Sequence, residues 1–457
     1  MRAVIVGAGP SGFYAADQLL AAGFEVDLLD ALPTPFGLVR AGVAPDHPNI
    51  KAVTRVYEKT AAKPGFRFFG GVRLGEHVTR ADLRAHYHAV LYALGTSDDN
   101  RLGIPGEDRP GSHAATSFVA WYNGHPEAAD HEFDLSVDRA VVIGNGNVAI
   151  DVARMLVLHP DELSATDTAD HAIEAFAASR VEEVVLLGRR GPAQAAFTNP
   201  ELRELADLMR AGVEVDPMDL ELDEHSARWL AEEADATARR NVDILRTYAE
   251  ATPKNASHRV ILRFLRSPVE ILGDGDDGPV TGVRVVRNRI EPSGRGALRA
   301  VPTGEEEVIE CGLVLRSIGY RGRPVDDIPF DERRGLIRNE GGRVVDEDGH
   351  AQRGEYVVGW IKRGPSGVIG TNKKDAADTV AKVREDAGAD ALGTPVADDP
   401  DRIAALIAER APEAVTWDGW QAIDSAEKAA GEPHGRRRIK LIRVADLVGP
   451  SRAMPRV

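Results

Sequence analysis

Ala3-Val4-Ile5-Val6-Gly7-Ala8-Gly9-Pro10-Ser11-Gly12 decides the reading of this chain, and Ala140-Val141-Val142-Ile143-Gly144-Asn145-Gly146-Asn147-Val148-Ala149 repeats it. Each stretch is an apolar, strand-like run that feeds a glycine-rich turn and then a helical pattern. In such a turn the first glycine lets the chain reverse. The second lets backbone N–H groups approach a pyrophosphate, and the third small residue lets helix and strand pack closely. Two copies imply two dinucleotides.

One copy alone is weak evidence, because glycine corners also serve plain packing. The surroundings of the first strengthen it. Phe13 to Ala22 reads as a helix, and Gly23-Phe24-Glu25-Val26-Asp27-Leu28-Leu29-Asp30 supplies a helix stop and a second strand ending in an acid. Asp30 stands where a ribose hydroxyl is expected. The second unit has a helix from Val148 to about Leu158 and ends differently, in Val184-Val185-Leu186-Leu187-Gly188-Arg189-Arg190-Gly191. Two guanidinium groups in place of a carboxylate suit a 2′-phosphate, which a carboxylate would repel. At about 1.5–3 kcal/mol per hydrogen bond to a charged group, the pair favours NADP over NAD by roughly two orders of magnitude or more. The first site is therefore assigned to FAD and the second to NADPH; the bland alternative is two arginines on a solvated loop.

At 457 residues the chain has room for two to three domains. Lys+Arg 56 against Asp+Glu 72 gives a net charge of −16, which argues against nucleic acid and against a general attraction to anionic membranes. The N-terminus opens straight into the first strand and no stretch is long and apolar enough to span a bilayer, so a cytoplasmic protein is expected. The single cysteine, Cys311, lies in the strand-like Val308 to Leu315 and reads as a buried structural thiol. One cysteine excludes a disulfide framework, a Cys-x-x-Cys redox pair and a cysteine-held iron–sulfur or zinc site, and no metal is expected.

The expected fold is α/β, with two Rossmann-like three-layer dinucleotide-binding domains, the NADP domain inserted in the FAD domain. Residues 1–105 and 325–457 form the discontinuous FAD domain and 106–324 the NADP domain. The connectors are Ile104-Pro105-Gly106 and the stretch from Gly319 to Pro324. Tyr356-Val357-Val358-Gly359-Trp360 leads through Gly364 to Asn372 into a helix from Lys373, returning the chain to the first domain. An acid-rich helical insertion runs from about Asp216 to Glu250. The tail from about Pro395, with Trp417 and Trp420, is not placed by its pattern, and Gly449 to Val457 are expected to be loose.

The order of these blocks resembles the two-dinucleotide flavoproteins, and more narrowly the ferredoxin–NADP⁺ reductases of the adrenodoxin reductase type. Four blocks carry the narrow likeness. They are Pro33-Thr34-Pro35-Phe36-Gly37-Leu38-Val39-Arg40 with Gly42 to Pro48, Gly144 through Asp151, Gly188 to Pro192 followed by Ala195-Ala196-Phe197-Thr198, and Gly359-Trp360 with Gly364 to Asn372. The resemblance implies an enzyme that passes electrons from NADPH through FAD to a one-electron ferredoxin-type iron–sulfur protein. It places FAD contacts at Gly7, Ala8, Gly9, Ser11, Gly12, Asp30, Leu38, Val72, Trp360, Gly367, Val368 and Ile369. NADPH contacts fall at Gly144, Asn145, Gly146, Asn147, Val148, Arg189, Arg190, Glu201 and Gly367. His47 and Glu204 are the implied titratable pair, with roles in positioning and proton balance; taken bare, the first is a loop hydrogen-bonder and the second a solvated helix residue. Gly367 to Thr371 is expected to start a helix facing the flavin's pyrimidine end. Trp360 is expected over the flavin ring, although a tryptophan at a strand end also suits a core.

Ferredoxins are usually acidic, so docking calls for a local basic surface, for which Arg239, Arg240 and Arg246, spaced on one expected helix, are candidates. Plain helical solubility explains them equally well. A monomer is the favoured state. The alternatives are an NADPH-dependent diaphorase or quinone reductase, a flavin monooxygenase, and, outside enzymes, an NADPH-sensing flavoprotein. A thioredoxin-reductase-like activity needs a cysteine pair that the chain lacks.

Overall fold

The computed structural model describes residues 1–454 except 252, 253, 295, 296, 368 and 398. The chain divides into two compact units: Met1–Asn100 with Asn123–Ala129 and the chain from Gly319 on, and Arg101–Tyr122 with Asp130–Ile318.

The first unit is built on a seven-stranded sheet. Its order is Asn339–Glu340, Arg343–Val345, Ala351–Val357, Ala89–Tyr92, Arg2–Val6, Glu25–Asp30, Phe66–Gly70. The five strands from Ala351–Val357 to Phe66–Gly70 run parallel. Parallel strands covered on both faces need apolar side chains on both, and two separate cores show this. Ala3, Ile5, Val26, Leu28 and Leu91 face one way with Phe13, Val380 and Trp420; Val4, Val6, Leu29 and Val90 face the other with Leu83, Ile403 and Ile407. The chain order reverses between Arg2–Val6 and Ala89–Tyr92, so the first glycine turn opens at a topological switch point.

The second unit has a six-stranded parallel sheet in the order Ser112–Ala114, Leu313–Arg316, Arg139–Ile143, Glu183–Leu187, His258–Arg263, Ala211–Val215. Its switch point lies between Arg139–Ile143 and Leu313–Arg316, again beside a glycine turn. One face packs on an antiparallel meander, Arg266–Gly273, Val280–Pro292 and Leu298–Glu310, through Val141, Ile143, Val185 and Val314 against Ile271, Val283, Val285 and Ile309.

Several boundaries differ from the pattern reading. The two nucleotide helices are Pro10–Ala21 and Asn147–Val157, each starting immediately after its turn's second glycine, and the late helix is Ile369–Gly388. Ile104-Pro105-Gly106 bonds inside the second unit, where Pro105 O accepts the Ile271 N–H at 2.9 Å. Gly449 to Ser451 are not loose but complete the helix Val444–Ser451, which buries Leu447 and Val448. Trp417 and Trp420, left unplaced by their pattern, stand on the helix Trp417–Gly431 and meet Phe36 edge-on at 6.2 and 5.5 Å. Cys311 is buried beside the meander, and burial pushes its thiol up to about 12.

Candidate nucleotide-binding sites

The two turns share one stereochemical plan. Gly7 and Gly144 hold φ of 113° and 136°, and a Cβ would stand 2.3 Å from Ala93 O in one and 2.1 Å from Ser317 O in the other. Each first glycine is therefore demanded by the carbonyl at the end of the strand across the switch point. Gly9 and Gly146 are the opposite case: extended backbone capping a helix, with no heavy atom of the described residues within 4 Å of a Cβ position. Neither helix start has a side-chain cap among the described residues, so no side chain competes for the N–H groups that open each helix, a fit for an anionic pyrophosphate. The third positions are small and packed: a Cβ on Gly12 would lie 2.0 Å from Gly7 O, and Ala149 is fully buried.

Around the first turn, Asp30 Oδ2 accepts the Ala8 N–H at 2.8 Å and Oδ1 the Leu32 N–H at 2.9 Å. Burial raises its carboxyl to about 6, although these two donors and Arg73 pull the other way. Val72 donates its N–H to Asp30 O at 2.8 Å while its side chain turns into the core. The stretch Pro33 to Arg40 folds back on the turn: Phe36 N–H reaches Ala8 O at 2.8 Å, with φ of 85°, a strained value for a residue bearing a side chain. Leu38 beyond it is 41% exposed, so its side chain remains free to meet a ligand. Arg40 anchors the far end in a two-pronged ion pair with the fully buried Glu427, at 2.5 and 2.9 Å. His47 is buried and starts the short helix Pro48–Lys51.

The chain's return completes this site. Gly359 comes so close to Ser11 that a Cβ would meet Ser11 Oγ at 2.3 Å, and its N–H donates to buried Asp375 at 2.6 Å. Trp360 follows, tilted against Tyr320 with ring centroids 5.7 Å apart. The Trp360 Nε1 donor and the Thr96 Oγ1 hydroxyl are buried without a partner among the described residues, as expected of groups that line a polar ligand. Gly367 has φ of 80° ahead of Ile369, where the long helix starts; Val368 lies outside the described residues.

In the second unit Asn145 fits under Gly188, where a Cβ would strike its Nδ2 at 2.7 Å, and Asn145 O accepts the Ala196 N–H. Asn147 Oδ1 accepts the Thr198 N–H at 2.8 Å, tying the turn to the helix Asn199–Glu204. Val148 lies in that nucleotide helix's first turn. Arg189 is exposed and Arg190 half-buried; neither forms an ion pair among the described residues. Burial, with the neighbouring Arg189 charge, pushes the Arg190 guanidinium below its ordinary value. Two adjacent cations with no counter-ion fit a dianionic group. Glu201 stands in the first turn of Asn199–Glu204, and Glu204 at its end pairs with Arg154 at 3.1 Å.

The structure thus brings the expected FAD residues it describes together in the first unit. It gathers the expected NADPH residues, apart from Gly367, in the second. His47 lies in the first unit and Glu204 in the second. Sequence reasoning missed Glu427 and Asp375, whose partners Arg40 and Gly359 stand 387 and 16 positions away along the chain.

The pyridine nucleotide-disulphide oxidoreductase family model matches residues 1–216. NADPH-ferredoxin reductase FprA of Mycobacterium leprae is 51% identical over 454 residues, covering 97% of each chain. NADPH:adrenodoxin oxidoreductase, mitochondrial, of Salvelinus fontinalis is 40% identical, covering 99% of this chain and 91% of that protein. The solved structure of Mycobacterium tuberculosis FprA in complex with NADPH superposes with a TM-score of 0.91 at 49% identity, covering 98% of both chains.

Proposed function

The chain belongs to the ferredoxin–NADP⁺ reductases of the adrenodoxin reductase type, and from that premise we propose how its residues carry electrons from NADPH through FAD to a ferredoxin-type iron–sulfur protein. It is a flavoprotein oxidoreductase that uses FAD and NADP(H). The chemistry FAD supplies when bound is the exchange between two-electron and one-electron transfer; the chain supplies binding, orientation and electrostatics.

In this reading the first unit holds FAD. The helix start at Gly9 takes the pyrophosphate, Asp30 accepts from ribose hydroxyls, and the Leu38 and Val72 segments border the nucleotide. Trp360, whose buried Nε1 lacks a partner among the described residues, would border the flavin, and the start of the helix Ile369–Gly388 would supply N–H groups to its pyrimidine end. A helix N-terminus favours negative charge there by about 0.3–1 kcal/mol, up to about 2 when partly buried. The second unit holds NADPH through the turn at Gly146, Asn145 to Val148 and Glu201, with Arg189 and Arg190 on the 2′-phosphate. Hydride leaves its carbon without a proton, so His47 and Glu204 serve positioning and proton balance, Glu204 being oriented by Arg154.

For docking, the basic candidates divide. Arg239 and Arg240 are both exposed and without an ion pair among the described residues, but Arg239 donates to Leu230 O and Ala231 O, capping the helix Glu224–Glu232, whereas the Arg240 guanidinium has no such bond there. Arg240 is therefore the stronger contact for an acidic ferredoxin, and its substitution should reduce the salt dependence of ferredoxin reduction. A cytoplasmic monomer completes the proposal; among the described residues no helix is long and apolar enough to cross a membrane.

The observation that carries this reading is the duplicated turn, with open space at Gly9 and Gly146 and, beside the second, two arginines without an ion pair among the described residues. Anaerobic mixing with NADPH should bleach the flavin absorbance, and a supplied ferredoxin should then be reduced. NADPH binding without bleaching would make the chain a nucleotide sensor instead.

A further inference from the structure

The loop that carries Arg189 and Arg190 turns three successive carbonyls inward. Gly188 O accepts the Arg266 N–H at 3.0 Å, Arg189 O the Asn288 side-chain amide at 2.8 Å, and Arg190 O the Leu265 N–H at 3.1 Å. Leu265 holds φ of 56°, and its own carbonyl accepts the Asn288 backbone N–H at 2.8 Å. Asn288 sits where the register of the meander shifts, and it is 3% exposed.

Its amide nitrogen also reaches Ser267 Oγ at 2.8 Å. A backbone carbonyl only accepts, so Nδ2 must face Arg189 O, which determines the amide's orientation. The other end, Oδ1, is then a buried acceptor with no donor among the described residues. Gln194 takes the same arrangement in the orientation that gives Nε2 to Ser226 Oγ, a hydroxyl that can meet either end of an amide. It is 7% exposed, its Nε2 reaches Ser226 Oγ at 3.1 Å, and its Oε1 is buried without a donor. A Cβ on Gly191 would come within 3.1 Å of that oxygen, so the amide lies against the same loop.

Buried acceptors without donors are rare and costly. A guanidinium has five N–H groups, and a bidentate phosphate fork uses two of them. Arg189 and Arg190 thus bring surplus donors to a loop flanked by two surplus acceptors.

We propose that Asn288 and Gln194 are positioning residues for a ribose 2′-phosphate: they brace the Gly188–Gly191 loop from behind, and their amide oxygens accept the arginine N–H groups that the phosphate leaves unused. The proposal rests on the assignment of Arg189 and Arg190 to the 2′-phosphate. Its effect is confined to nucleotides that carry this group.

The test is calorimetric titration of the FAD-loaded enzyme with 2′,5′-ADP and with 5′-AMP, which differ by the 2′-phosphate alone. Asn288→Leu and Gln194→Leu should each weaken 2′,5′-ADP about five- to tenfold, the size of one hydrogen bond, and leave 5′-AMP within about twofold. KM for NADPH should rise by the same factor without a matching change for NADH. Where a leucine variant fails to fold, Ser267→Ala and Ser226→Ala free the amide from its anchor and should weaken 2′,5′-ADP selectively, about two- to threefold. Equal losses for the two nucleotides, or none for either, overturn the proposal. A wild-type protein that binds both nucleotides alike refutes the 2′-phosphate assignment itself.

Discussion

Mild acid should release FAD with a midpoint near pH 6, because Asp30 titrates there. Ribose hydroxyls donate to a carboxylate, so binding selects the ionised form, and the apparent affinity scales with its population. At pH 5 roughly one molecule in eleven is ionised. The dissociation constant should then be about tenfold weaker than at pH 8, while at pH 7 the loss is only about 10%. Unfolding does not mimic this. The folded carboxyl lies above its ordinary value of 3.8, so the folded state binds this proton more readily than the unfolded chain does. Asp30 therefore adds stability as pH falls from about 6 toward 4, and loses it as pH rises back through that window. The assay is titration of apoprotein with FAD between pH 5 and 8 at constant ionic strength, read by quenching of flavin fluorescence. Asp30→Asn should bind weakly and without slope. Arg73→Ala removes a charge that favours ionisation and should move the midpoint upward. A wild-type constant independent of pH, or an Asp30→Asn protein with the wild-type slope, would refute the reasoning.

Three further outcomes follow from the same geometry. Gly9→Ala adds a methyl where the described chain leaves space, so apoprotein stability should stay within about 0.5 kcal/mol while FAD affinity falls about tenfold or more; Gly7→Ala, aimed at Ala93 O, should cost both, and identical behaviour of the two variants would deny the pyrophosphate role. Arg190→Ala should lower the preference for NADPH over NADH, measured as the ratio of kcat/KM, by about ten- to a hundredfold with the NADH constants unmoved. Glu427→Gln leaves Arg40 and Arg438 without their buried counter-ion and should cost about 3–5 kcal/mol in denaturant unfolding. Burial opposes ionisation of Glu427, but Arg40 and Arg438 hold its carboxyl below the ordinary value, so this stabilisation is present above the unfolded pKa and disappears as pH falls through the folded one.

Both nucleotide turns, the acid at Asp30 and the arginine pair were legible in the sequence because their constraints are local. The open helix start at Gly9 follows from the backbone path of a few consecutive residues, and glycine spacing records it directly; the carbonyl 2.3 Å from a Cβ position at Gly7 belongs to Ala93 on a distant strand, and the sequence shows only the glycine that answers it. The lone Cys311 likewise excluded disulfide chemistry by simple count. What only the tertiary structure decided are the contacts that close over long separations. Glu427 reaches Arg40 across 387 positions, and Trp417 and Trp420 brace Phe36 at its strained φ. Asn288, 99 positions from Arg189, supports the loop from a meander whose strands signal β structure but not their neighbour. The helical end at Gly449–Ser451 was likewise hidden, since Leu447 and Val448 favour helix there only once they have a core to enter. Burial and hydrogen-bond pairing are properties of which distant residues meet, and residue spacing along one chain does not record that meeting.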